Sequence, residues 1–243
     1  MLGYLLAATF GWLPVPSLFL VFAAGTTSAY RHAWSDVPIA AALSACAVLF
    51  GVLIGQFGRL LPTQRQEPVP QPPRTPLRHL LAPATARAEA AAYLLGPLVA
   101  GSAATIIGIG HPYWAAVSAT VPLSGTTLAA QLGRASLRLA GTILGLGVAF
   151  ALLAAGPPPW LLVIAVAVLQ ITTELFVARN YGIAVISLTP LALILGRLAA
   201  PGPLPPLLTD RLVETILGVA VAIGALLAIR TPPSTHTEAV RHR

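Results

Sequence analysis

Long apolar stretches separated by brief polar punctuation make up most of the chain. No charged residue falls within 1–30, 37–58, 90–133, 139–173, 180–196 or 215–229. A helix needs about 20 apolar residues to cross a hydrocarbon core of about 30 Å. The block 90–133 therefore holds two crossings, divided at Gly108-Ile109-Gly110-His111-Pro112. The block 139–173 is likewise shared by two, divided at Gly156-Pro157-Pro158-Pro159. Backbone cannot lie irregular and unpaired in lipid, so each Gly/Pro cluster marks a turn at the water side. The pattern predicts helices at about 37–58, 90–109, 112–131, 135–155, 160–178, 181–199 and 211–230. Residues 2–30, broken by Pro14 and Pro16 beside Trp12, read either as one kinked helix or as two.

The expected fold is all-α: a polytopic transmembrane bundle of eight or nine helices, the last six forming one complete half. Residues 1–60 form a partial N-terminal membrane half of two or three helices. Residues 61–88, with Pro62, Pro68, Pro70, Pro72, Pro73, Pro76 and Pro83 interleaved with Arg65, Arg74, Arg78 and Arg87, form an extended, solvated linker. Residues 89–230 are the six-helix membrane domain, and 231–243 a tail. Ser35-Asp36 and Thr209-Asp210 each precede an apolar helix, a sign of internal repetition in which the first copy lacks its beginning.

Composition narrows the class. Hydrophobic residues make up 56% of the 243 and charged residues 9%, against about 25% charged in soluble domains. The net charge of +7 comes entirely from Arg, with no Lys present. The Arg side chains punctuate apolar blocks instead of clustering on a soluble face, so nucleic acid is not an expected partner; the lipid bilayer is. With 61–88 in the cytoplasm and helices alternating, Arg59, Arg65, Arg74, Arg78, Arg87, Arg134, Arg138, Arg179, Arg230, Arg241 and Arg243 lie inside, and only Arg31, Arg197 and Arg211 outside. The positive-inside rule selects this orientation: a multi-pass cell-membrane protein with a cytoplasmic C-terminus. It puts Trp34, Trp114 and Trp160 at the outer interface, where amphipathic rings prefer to sit.

A few polar residues interrupt the apolar runs. Glu174 lies one turn from the end of 160–178, with Gln170 four residues before it on the same face. Acids at membrane depth usually face protein or water, so Glu174 reads as a proton-coupling carboxylate or as a partner of Arg179 or Arg138. Arg138 and Arg134 form a basic patch that either draws in organic anions or anchors the cytoplasmic side. Gly51-x-x-x-Gly55 and Gly141-x-x-x-Gly145 clear helix faces for close packing, and Thr142 adds an interhelical hydrogen bond. Thr189-Pro190 kinks helix 181–199 and frees a carbonyl. Glu214 reads as a simple partner of Arg211. His111, Tyr113 and Trp114 form the outer turn, either as interface anchors or beside a substrate path. The single cysteine, Cys46, makes no internal disulfide. No metal-ligand spacing, phosphate loop or Ser-His-Asp set is present, so no metal, cofactor or enzymatic activity is expected.

Four motifs in order carry a family resemblance. Gly108-x-x-His111-x-Tyr113-Trp114-Ala115-Ala116, Arg138-x-x-Gly141-Thr142-x-x-Gly145, Tyr181-Gly182-Ile183-Ala184-Val185 and Asp210-Arg211-Leu212-Val213-Glu214-Thr215-Ile216-Leu217-Gly218 resemble the fusaric-acid-resistance-like (FUSC) membrane proteins. The resemblance covers about 89–230. It implies an inner-membrane relative of aromatic-acid exporters and, more distantly, of plant malate-permeable channels. Full members carry two six-helix halves, or one half with a sizeable cytoplasmic domain. The expected function is export of small organic or aromatic acids along a path bearing Glu174, Gln170, Arg138, Thr142, Thr189 and Pro190. The alternative is a non-transporting membrane scaffold or a truncated family member. The glycine faces and the incomplete first half point to a homodimer or a complementary membrane subunit.

Overall fold

The computed structural model describes residues 33–60, 82–125 and 127–230, with Leu5 and Thr27 besides. These residues form seven helices and no strand: α1 (Asp36–Leu60), α2 (Ala84–Ile107), α3 (Pro112–Leu123), α4 (Leu128–Ala154), α5 (Pro159–Phe176), α6 (Tyr181–Ala199) and α7 (Leu204–Arg230). Seven of the expected eight or nine helices stand among the described residues. The one or two helices expected within 2–30 lie outside them, as do most of the 61–88 linker and the 231–243 tail. Six helices, all but α3, are long and apolar enough to cross a membrane.

The exception matters most. The apolar pattern predicts a full crossing over 112–131, yet α3 ends at Leu123 after 12 residues, a length of about 18 Å. Pro122, Ser124 and Gly125 interrupt the pattern, and the chain folds back on the next helix. A Cβ at Gly125 would lie 2.7 Å from the backbone nitrogen of Gln131, so only glycine allows that return. The Thr127 side chain accepts from the Ala130 N–H, an N-cap that starts α4 at 128, seven residues earlier than expected. Arg138 consequently sits in the third turn of α4 and not at its beginning. α7 likewise starts at 204 where 211 was expected, which puts Arg211 two turns inside it.

Helix directions follow from close approaches. Gly96 faces Leu123 and Gly101 faces Ala116, so α2 and α3 are antiparallel. Gly141 faces Val185 and Gly145 faces Thr189, so α4 and α6 run parallel. Gly218 lies on Ala115 and Ser118, with Glu214 opposite His111, so α3 and α7 run parallel. α3 occupies the place of a span at about half its length. It lies between α2, α4 and α7, and nine of its 12 residues are buried. This explains its uniformly apolar, small-residue sequence, since a helix covered all round needs no polar face.

The turn before α3 is set by Gly108, whose φ of 81° is a left-handed conformation that L side chains rarely adopt. Its N–H and that of Ile109 close back on the carbonyls of Thr105 and Ala104, ending α2 before Pro112 opens α3. Half of the apolar window of α6 is buried, against none of that of α1. The core therefore lies among α2, α3, α4, α6 and α7. The outward faces of α4 and α5 present Ile143, Leu144, Val148, Val163, Ile164 and Val168, as a lipid-facing surface requires.

A Cβ at residue 218 would overlap the Ala115 carbonyl and come within 2.6 Å of Ser118 Cβ, whereas nothing lies within 4 Å of one at residue 51. Gly218→Ala is expected to cost about 1–3 kcal/mol through overpacking, and Gly51→Ala to cost nothing beyond experimental error. Thermal unfolding of the two variants in one detergent tests the contrast.

Candidate functional site

The glycine contacts fix a register that brings charge into the core. With Gly218 against Ala115, the preceding turn of α7 sets Glu214 against the start of α3, where its Oε1 accepts the His111 N–H at 3.0 Å. One further turn back, the Arg211 guanidinium lies over the Trp114 ring, 3.9 Å from its centroid. From the other side α4 supplies Arg138, whose Nη2 donates to Ser118 Oγ at 3.3 Å and whose Nη1 donates to the Tyr181 hydroxyl at 3.4 Å. Arg138, Arg211 and Glu214 are each 1% exposed. Two guanidiniums and one carboxylate are thus enclosed at the junction of α3, α4, α6 and α7.

The enclosure is under-satisfied. Eight buried side-chain polar atoms have no hydrogen-bond partner among the described residues, and seven belong to five residues of this region: Arg138 Nε, Thr142 Oγ1, Thr189 Oγ1, the three Arg211 nitrogens and Glu214 Oε2. Buried charges are ordinarily paired, because leaving one unpaired costs several kcal/mol. Arg211 instead has an aromatic face, worth about 2 kcal/mol when desolvated, and lies within electrostatic reach of Arg138, Glu214, Tyr113 and Tyr181. The hydroxyls of Thr105, Thr120, Thr172, Thr173, Ser187, Thr209 and Thr215 all bond back to the carbonyl four residues earlier. Thr142 and Thr189 do not, although neither is exposed at all.

These atoms fall along one line. Tyr181 meets Arg138 at the start of α6, Val185 and Thr189 meet Gly141 and Gly145 on the next turns, and Pro190 removes the N–H that would have engaged the Ile186 carbonyl. Beyond them Leu193 and Gly196 face Arg211 and Glu214 across a narrow, partly open cleft, with His111, Tyr113 and Trp114 on the near wall. The polar line thus runs between α4 and α6 from Arg138 to a cleft at the His111 turn.

Several sequence expectations are redrawn. Trp114 is not an interface anchor but buried beneath Arg211, while Trp34 and Trp160 are 93% and 64% exposed. Arg134 is exposed and Arg138 buried, so the two do not form one patch. Glu214 and Arg211 are not hydrogen-bonded to each other; both are enclosed, and neither Oε2 nor the guanidinium nitrogens find a partner. Glu174 and Gln170 are exposed on α5, where Gln170 Nε2 donates to Glu174 Oε1 at 2.8 Å, outside the cluster. Thr142, Thr189 and Pro190 fall on the polar line. Gly141 and Gly145 lie against α6, whereas Gly51 and Gly55 have nothing within 4 Å of an added Cβ. The sequence reading gave no role to Ser118 and Tyr181, and only minor ones to Arg211 and Glu214. The available signal was the three-residue spacing of Arg211 and Glu214, which puts both on one face of an apolar helix. Among the described residues no three His, Cys, Asp or Glu gather as metal ligands.

His111 lies between the spans at the cleft mouth. Burial holds its pKa below the usual 6.5, against the attraction of Asp210 and with the help of Arg211. The fold therefore favours the neutral imidazole. Its contribution to stability is complete above the unfolded value and is lost as pH falls from there through the lower folded value. Between about pH 8 and 5, His111→Asn should flatten part of the fall in melting temperature seen for the parent chain. Asp210→Asn, which removes the opposing attraction, should steepen it.

Residues 98–225 match the family described as fusaric acid resistance protein-like. Among curated proteins, an uncharacterized membrane protein YvaC of Bacillus subtilis (strain 168) is 33% identical over 132 residues, covering 52% of this chain and 20% of that protein. The chain thus spans about a fifth of the length of this relative. No solved structure matches. The matched segment takes in more than half of the chain, including every residue of the buried cluster. The chain is a multi-pass membrane protein and belongs to the fusaric acid resistance protein-like family.

Proposed function

We propose that the chain carries small organic acids, aromatic ones among them, across the membrane, binding their carboxylates at Arg211 and Arg138. The observation that carries this reading is the Arg211 guanidinium, enclosed at 1% exposure with all three nitrogens unpartnered. A fixed, desolvated donor array of this kind suits a planar carboxylate, which a guanidinium takes in two parallel hydrogen bonds. Intramembrane charge facing a cavity is the usual mark of an ion or substrate path. Tyr113, half-buried on the cleft wall, offers an aromatic ring to an aromatic acid. Past Arg211, the free hydroxyls of Thr189 and Thr142 supply polar stepping points toward Arg138 and Tyr181.

In this proposal the Arg bias of the loops sets the C-terminus in the cytoplasm, so the cleft opens outward and Arg138 lies nearer the cytoplasmic side. Export then runs from Arg138 to Arg211. A second copy of the chain is proposed to cover α1, whose described side chains are exposed and whose Gly51 and Gly55 are open.

Proteoliposomes containing the chain are expected to take up labelled benzoate. Arg211→Gln and Arg138→Gln should each slow uptake by at least about tenfold, the scale expected when one partner of a buried charged contact is lost. Arg134→Gln, at an exposed position, should not. Uptake unchanged in both cluster variants, with the proteins still monodisperse in detergent, would remove the basis of this reading.

A further inference from the structure

We propose that Glu214 is a proton site linked to anion binding: an anion settles at Arg211 together with one proton taken up on Glu214 Oε2. This rests on the reading of the cluster as an anion site. Glu214 and Arg211 stand three residues apart on one face of α7, each 1% exposed. Yet Oε2 and all three guanidinium nitrogens are without a hydrogen-bond partner among the described residues. An ionised carboxyl so near a free guanidinium would pair with it, because two enclosed charges left apart each carry a heavy desolvation penalty. The arrangement suits instead a neutral carboxyl, the less costly form in an enclosed place, beside a guanidinium open to an anion from outside. Oε1 is already held by the His111 N–H, which leaves Oε2 as the oxygen that takes the proton.

The pair then has two states. With Glu214 protonated, the anion meets the Arg211 charge. When Oε2 gives up its proton, the carboxylate meets that charge itself: the guanidinium, tied by no hydrogen bond, turns onto it and the anion leaves. Charge balances in both directions, one anion and one proton entering or leaving together. The proton has a route, since Glu214 and Arg211 line the partly open cleft with His111. The other groups facing Glu214 do not compete for this role. α3 brings Tyr113 and α6 brings Tyr181, and tyrosine hydroxyls carry no charge near neutral pH. α4 brings Arg138, and arginine keeps its charge throughout. α2 brings only Ala100 and Ala104 to this end of α3, its Arg87, Glu89 and Tyr93 lying towards its other end. The His111 ring, held by burial below the usual 6.5, is neutral from about pH 7 upward. Asp210 on α7 and Arg197 on α6 are half-buried, and neither residue type changes charge between about pH 7 and 9 when open to water.

The test is titration calorimetry of benzoate on the intact chain in detergent between about pH 7 and 9, where a free carboxylate stays ionised. The parent chain is expected to bind about tenfold more weakly at the upper pH than at the lower. Its binding heat at the upper pH should also vary with the ionisation enthalpy of the buffer, by the amount that uptake of nearly one proton per benzoate requires. Glu214→Gln, which keeps the shape and fixes the neutral form, should bind at the upper pH as tightly as the parent does at the lower, without dependence on buffer. Glu174→Gln, outside the cluster, should keep the parent profile. If Glu214→Gln does not fold, infrared difference spectra of the parent chain decide the matter: benzoate added at the upper pH should bring up the carbonyl band of a protonated carboxylic acid. Equal affinity at the two pH values, a pH dependence that survives in Glu214→Gln, or absence of that band overturns the proton link and leaves the anion site standing. If the parent chain binds no benzoate at either pH, the anion-site reading falls and the proton link with it.

Discussion

Contact of bare backbone at Gly218, Gly141 and Gly145 is the constraint on which the rest of the structure depends. In lipid no hydrophobic force draws apolar helices together, so their association relies on close packing and a few polar contacts. At Gly218 the α7 backbone comes down on the α3 backbone at Ala115 and Ala119. That fixed point sets everything one and two turns away. Glu214 is brought to the unsatisfied N–H at the start of α3, and Arg211 over Trp114. The pair Gly141 and Gly145 does the same for α4 against α6, bringing Arg138 level with Tyr181. A bulkier residue at any of these places would separate the helices and admit lipid or water to the charges. The small residues and the buried charges are therefore parts of one arrangement.

Much of this arrangement could be read in the sequence, for reasons that differ by element. The spans α2, α4, α5 and α6 follow from uninterrupted apolar blocks whose length matches the bilayer, and the Gly/Pro clusters at 108–112 and 156–159 mark their turns. α3 does not follow, because 112–131 is as apolar as a full span. What ends it is the return of the chain at Gly125 onto Gln131, a tertiary contact that no periodicity records. α4 and α7 begin earlier than the apolar pattern predicts for a related reason. A charged residue near the edge of an apolar block reads as the edge itself, yet Arg138 and Arg211 each lie about two turns or more inside a helix.

The same bias decided which acid drew attention. Glu174 breaks an apolar run conspicuously, yet its side of α5 is exposed and its partner is Gln170 on the same helix. Glu214 sits beside Asp210 and Arg211, where three charges close together suggest a watery helix end. Whether a charge is buried depends on what lies across from it, and across from Glu214 are His111 and the cleft wall. Trp114 shows the converse error. Its position beside a turn suggested an interface anchor, but parallel α3 and α7 place it beneath a guanidinium.

The buried cluster also bears on how much of a longer relative a site of this kind requires. Arg138, Arg211, Glu214, Ser118, Trp114 and Tyr181 all come from α3, α4, α6 and α7, within the segment that matches the family. None comes from α1, and α5 reaches the core chiefly through α6. The short length of α3 contributes directly. A full span there would continue past Leu123, whereas the return at Gly125 lets α4 begin beside Gln131, with Arg138 reaching Ser118. The start of α3 presents the His111 N–H to Glu214, and its second turn presents Ser118 Oγ to Arg138, so one short helix holds both the acid and a base of the cluster. Acid and base are thereby held at a fixed separation by one rigid element, the condition for an enclosed site to keep its geometry instead of relaxing around whatever enters.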